Sequence, residues 1–115
     1  NEMNESLKLM TAAADLEDAT SKNPVTPGAL LPAREMLGDL YMELNRPKDA
    51  LIQYELSLKI NPNRFNTLYS AGKSAELSGD LKKAKFYYGE LLKLNKDPKS
   101  IRQQIVYASN FIGNV

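Results

Sequence analysis

The sequence predicts an all-α helical-repeat solenoid, in which antiparallel helix pairs stack in a right-handed superhelix, and three observations lead there. Sliding the chain against itself by 34 residues pairs Gly38 with Gly72, Ala50 with Ala84, Tyr54 with Tyr88, Lys59 with Lys93 and Asn61 with Asn95 without a gap. Periods in that range mark units that cannot bury their apolar face alone and so stack on copies of themselves. Within residues 31–62 two amphipathic helical patterns flank a turn and stop at a proline, so the repeated unit is a helix pair. The hydrophobic share of 43% and charged share of 25% are those of an ordinary globular chain, which needs a buried core.

Each element has a local reason. Residues 3–21 form a leading helix with Leu7, Met10, Ala13 or Ala14, and Leu16 at three- and four-residue spacings, and Ala12 and Ala19 extend the stripe. Asn23-Pro24 ends it, and Pro27-Gly28 suits a type II turn in a stiff connector. The next helix covers residues 31–44 with Pro32 in its first turn, where a missing N–H costs nothing. Asn45 and Arg46 make the turn. Pro47 opens a helix that runs to Ile60 and stops at Asn61-Pro62. A helix over residues 64–77 follows, then the turn Ser78-Gly79-Asp80, in which Asp80 caps a helix over residues 81–94.

Asp97 as cap and Pro98 as first helical residue start the last helix, with Ile101, Ile105, Ala108 and Ile112 on its apolar face. It stands where a third unit would begin. Val106 takes the slot of Gly38 and Gly72, so no partner helix is expected to close over it. The organisation expected is one domain: a leading helix and connector over residues 1–30, units over 31–64 and 65–98, and a capping helix over 99–115.

Composition narrows the chemistry. Without cysteine there is no disulfide, thiol nucleophile or thiolate metal site, and without histidine the commonest general base is missing. The carboxylate clusters, Glu17-Asp18 and the row Glu35, Asp39 and Glu43, lie on helices with no glycine-rich loop or dedicated cage. The expectation is a non-catalytic protein with no cofactor and no metal. No apolar run approaches the ~20 residues of a membrane span, and the net charge of +1 attracts neither membrane nor nucleic acid. The charge is uneven, however. Residues 1–30 carry Glu2, Glu5, Asp15, Glu17 and Asp18 against Lys8 and Lys22, whereas residues 81–115 carry seven basic side chains against Glu90 and Asp97.

The spacing of Leu37-Gly38, Tyr41, Ala50, Tyr54 and Pro62, repeated through Ala71-Gly72, Ala75, Gly79, Ala84 and Tyr88, resembles the tetratricopeptide repeat. That family's 34-residue unit is a helix-turn-helix with small residues at the contact between its helices. The chain departs from the pattern at Arg34 and Leu68, where the family has an aromatic, and at Leu91 and Lys96, which suggests looser packing in the second unit. The leading helix is similar to a second helix of a preceding unit, and residues 17–35 resemble a segment before such repeats in larger bacterial proteins, of which this chain would be the C-terminal part. Glycine costs a helix interior about 1 kcal/mol relative to alanine, so Gly38 and Gly72 need a compensating contact. Close approach of the second helix supplies one, with Ala50 and Ala84 at the contact and Tyr41, Tyr54 and Tyr88 filling the space beside it.

The resemblance implies a concave wall lined by the first helices of the pairs, where the family binds peptides or partner helices. Its lining here would be Glu35, Asp39, Met42 and Glu43 from one pair and Asn66, Tyr69, Lys73 and Glu76 from the next, with a cross-repeat pair such as Asp39 and Lys73. Members that clamp a C-terminal carboxylate carry Lys and Asn in the slots held here by Glu35 and Asp39, and two carboxylates would repel that ligand. The partner expected is a protein or peptide. The run Lys82, Lys83 and Lys85 reads as a solvated outer face, since arginine is scarce around it, so no nucleic acid is expected. A structural scaffold or spacer that stacks with itself through exposed end helices, or with upstream repeats, is the alternative, and no compartment follows from the residues.

Overall fold

The computed structural model describes residues 2–20, 33–95 and 102–113. Among them are six helices: α1 (Glu2–Thr20), α2 (Ala33–Glu43), α3 (Pro47–Ile60), α4 (Phe65–Leu77), α5 (Leu81–Leu94) and α6 (Gln103–Gly113). Each helix packs on the next along the chain. The architecture is all-α and repetitive.

The two helix pairs use one turn geometry. Past α2, the Arg46 N–H donates to the Tyr41 carbonyl at 2.9 Å and the Asn45 N–H to the Met42 carbonyl at 3.0 Å, with Asn45 at φ 59°. Past α4, Asp80 donates to Ala75 at 2.8 Å and Gly79 to Glu76 at 3.1 Å, with Gly79 at φ 89°. One left-handed residue thus satisfies the last carbonyls and turns the chain back. Pro47 then opens α3, and the Asp80 carboxylate caps α5 by accepting the Lys83 N–H at 3.1 Å.

The expected close approach is present, but a different side chain makes it. A Cβ on Gly38 would lie 2.6 Å from Tyr54 Cε1, and one on Gly72 would lie 2.6 Å from Tyr88 Cδ1 and Cε1. The tyrosine rings lie on the glycines, and Ala50 and Ala84 are buried in the same core. In the corresponding slot of α6, Val106 is exposed. Nor is the second pair looser, because Leu68 and Leu91 fill the core in place of the family's residues.

A smaller cluster joins α1 to α2 through Leu7, Ala14 and Leu37. Arg34, buried in the family's aromatic slot, straps three helices together: one guanidinium nitrogen donates to Asp15 at 2.7 Å and another to Gln53 at 3.0 Å. Glu17 accepts the Ala33 N–H at 2.9 Å, so α1 also caps α2. The stripe expected on α1 is corrected in part. Leu7, Met10 and Ala14 face α2, whereas Ala12 and Ala13 are exposed and Leu16 is 66% exposed, because α1 packs chiefly on one neighbour and buries one stripe.

The last helix opens later than expected. Arg102 precedes it and accepts the Val106 N–H at 3.0 Å, while its guanidinium lies 3.7 Å from the centre of the Phe65 ring. Asp97, Pro98 and Ile101 lie outside the described residues, as do Pro24, Pro27, Gly28 and Pro32.

Candidate functional site

Side-chain ties sort the helices into two rows. Glu35 of α2 accepts from Thr67 of α4, and Glu76 of α4 accepts from Tyr107 of α6, so α2, α4 and α6 form one row. Glu55 of α3 meets Lys83 and Tyr87 of α5 in the other. The residues expected to line a wall come from the first row.

At its α2 end the row is acidic. Asp39 is exposed yet anchored, accepting the Tyr54 hydroxyl at 2.6 Å. Burial raises its carboxyl above the usual 3.8, the Tyr54 hydrogen bond opposes this, and Glu35 and Glu43 push it up again, with a net upward result. Glu43 and Asn66 are exposed, and Met42 is half-buried against the main core. Glu35 is a correction: it is 3% exposed, pairs with Arg64 at 2.7 Å and accepts Thr67 Oγ1 at 3.0 Å. It belongs to the frame between the pairs because Arg64 and Thr67, at the start of α4, reach back to it.

At its α4–α6 end the row is aromatic. The Tyr69 ring lies 6.1 Å from that of Tyr107, edge-on, and 6.2 Å from that of Tyr88. Lys73 Nζ sits 4.0 Å from the centre of the Tyr107 ring, so no ion pair joins it to Asp39. Burial lowers the Lys73 ammonium, but Tyr107, Tyr69 and Glu76 outweigh it and the net shift is upward. Glu76 accepts the Tyr88 hydroxyl at 3.0 Å and the Tyr107 hydroxyl at 2.9 Å on each oxygen. Burial first, then the carboxylate contact, raises both Tyr54 and Tyr88 well above the usual tyrosine range.

Sequence reasoning missed Tyr107. Its signal was the register itself, since it stands 34 residues after Lys73 and so in the same slot of the next unit. The assembled face offers carboxylates, aromatic edges and one cation. Among the described residues no three carboxylates converge as a metal-ion set. Such a surface has the chemistry to recognise a polar chain.

Helix pairs recurring at 34 residues, closed by a tyrosine on a glycine, define a helical-repeat protein. The chain belongs to the tetratricopeptide repeat family, which matches residues 31–64 and 65–98. Repeats of this family generally mediate protein–protein interaction. The chain is also similar to the "Uncharacterized protein ycf37" of Pyropia yezoensis, with 38% identity over 69 residues, 60% of this chain and 39% of that one. The match thus spans well under half of that relative.

Proposed function

We propose that the chain is a non-catalytic interaction module whose α2–α4–α6 face holds an extended segment or a helix of a partner protein. The supporting observation is the division of that face: Asp39 and Glu43 stand exposed at one end, while Tyr69, Lys73 and Tyr107 form an aromatic and cationic end. A partner segment with a basic stretch followed by an apolar or acidic one complements both. Among the described residues no helix is long and apolar enough to cross a membrane.

The test pairs Glu43→Lys with Asp39→Asn, which removes the charge but keeps an acceptor for the Tyr54 hydroxyl, and leaves the buried Glu35 native so that the frame is undisturbed. Quantitative pull-down should show specific capture falling about tenfold or more, equivalent to ~1.4 kcal/mol of binding energy, with a circular dichroism melt no lower than the native one. Unchanged capture would remove this face as the site.

A further inference from the structure

The outer side of the α3–α5 row carries an apolar groove that the opposite face does not use. It encloses about 500 Å³ and is lined in part by Ile52, Glu55, Leu56 and Tyr87. Ile52 is 52% exposed, and Phe86, edge-on to Tyr87 at 5.2 Å, is 58% exposed. Ile52 and Phe86 occupy the same slot in successive repeats, so the exposed apolar stripe follows the period. The groove's one carboxylate, Glu55, already accepts the Tyr87 hydroxyl at 2.5 Å and pairs with Lys83 at 3.1 Å. Lys59 lines the groove and stands exposed. Lysines in the first turn of α5 oppose the helix dipole, and a negative occupant of the groove would offset that cost.

We propose that this groove takes α1 of a second copy of the chain. Opposite the side it packs on α2, α1 exposes Leu9 (72%) and Leu16 (66%) with Ala12 and Ala13 between them. On that open side Glu5 is exposed one turn before Leu9, while Asp15 and Glu17 are held by Arg34 and the Ala33 N–H; by sequence α1 is net negative, and α5, with four lysines against Glu90, is net positive. Apolar stripe meets apolar floor, and Glu5 meets the exposed Lys59. At 1.5 Å per residue α1 is about 28 Å long, enough to run the length of α3 or α5. End-to-end stacking fits less well, because α6 turns exposed Gln103, Ser109 and Asn110 outward.

The contact is heterologous, helix of one copy into groove of the next, so copies add head to tail unless a ring closes. A single helical strip covers less than the ~800 Å² per partner of a standard complex. Association is therefore weak, grows with concentration and falls with salt.

Sedimentation velocity on the full 115-residue chain tests this. The weight-average mass should rise with concentration at low salt and rise less at about 1 M, where the screening length is near 3 Å. Leu9→Lys with Leu16→Lys should abolish the rise, as should Ile52→Lys with Phe86→Lys. Mixed together, these two variants should give a one-to-one pair and nothing larger, since each retains one intact surface. A chain that stays monomeric at every concentration, a rise that survives either double substitution, or a mixture that stays monomeric overturns the proposal. Should a double variant not fold, Glu5→Lys and Lys59→Glu, both at exposed positions, should each lower the association on their own, and an undiminished rise in both overturns it.

Discussion

In the first repeat Tyr54 closes over Gly38 and gives its hydroxyl to Asp39; in the second Tyr88 closes over Gly72 and gives its hydroxyl to Glu76. A Cβ on either glycine would lie 2.6 Å from the ring, yet the accepting carboxylate has moved from the residue after the glycine to the fourth after it. The slots left over hold Lys73 and Met42. A joint set by backbone approach allows one residue type, whereas a hydroxyl needs only an acceptor within reach on the facing helix. Residues three apart on a helix are neighbours, so either position serves. The repeats are therefore alike where they close and different where they face outward, and the difference makes one end of the row acidic and the other aromatic.

The largest expected effect breaks the comparison at the frame. Glu35→Ala strips Arg64 of its partner and leaves the buried Thr67 hydroxyl unsatisfied. The loss should be about 3 kcal/mol in urea unfolding, the low end for breaking a buried pair, because Arg64 retains a route to solvent. A loss below about 1 kcal/mol would mean that Glu35 is dispensable to the frame. Tyr69, which occupies the same slot in the second repeat, makes no ion pair, so this dependence belongs to the first repeat alone.

Next, the shared joint predicts equal behaviour at two glycines and the opposite at a third. Gly38→Ala and Gly72→Ala should each destabilise by about 1–3 kcal/mol through overpacking, although alanine is the better helix former. The Tyr54 and Tyr88 rings are buried and tethered at their hydroxyls, so they cannot swing aside. Gly89→Ala in α5, whose new Cβ would meet only Ile112 Cδ1 at 4.0 Å, should stabilise by up to about 1 kcal/mol. Thermal midpoints moving the same way at Gly72 and Gly89 would refute the joint.

The smallest effect sharpens the comparison at the tyrosine anchors. A carboxyl raised on folding contributes stability below its unfolded pKa of about 3.8 and loses it as pH rises through the folded value. Charged Asp39 therefore costs stability near neutrality. Asp39→Asn, which still accepts the Tyr54 hydroxyl, should melt at or above the native temperature at pH 7. The gap should close as pH falls towards 4. A variant that melts lower at pH 7 would show that the charge strengthens the Tyr54 bond by more than it costs.

Much of the frame was legible from residues alone. Pro47 and Asp80 begin helices for reasons internal to a single turn, and Asn45 and Gly79 end them by adopting a conformation that few other residues tolerate. The glycines announced a close contact because nothing else justifies them mid-helix. Which side chain lies on them was less clear, because the alanines and the tyrosines recur at the same interval. Of the candidate face, Asp39, Glu43 and Asn66 lie exposed in the first-helix row, but Glu35 does not. Helical spacing tells which residues share a side of a helix, and is silent on Arg64 and Thr67 arriving from the next unit. Tyr107 was overlooked for a related reason: a capping helix is expected to close a stack, and this one also extends the row. The α1 stripe was misjudged because one helix can carry two apolar sides, and only packing decides which is covered.

By itself the sequence determined the repeat length, the helix boundaries within each pair and the glycine contacts, since all of these depend on residues within one period of each other. Tertiary structure decided which charges became framework, which aromatic rings met across three helices and which apolar surfaces stayed open. Those outcomes depend on the relative placement of whole helices, where a shift of a few ångströms separates a buried ion pair from a solvated one.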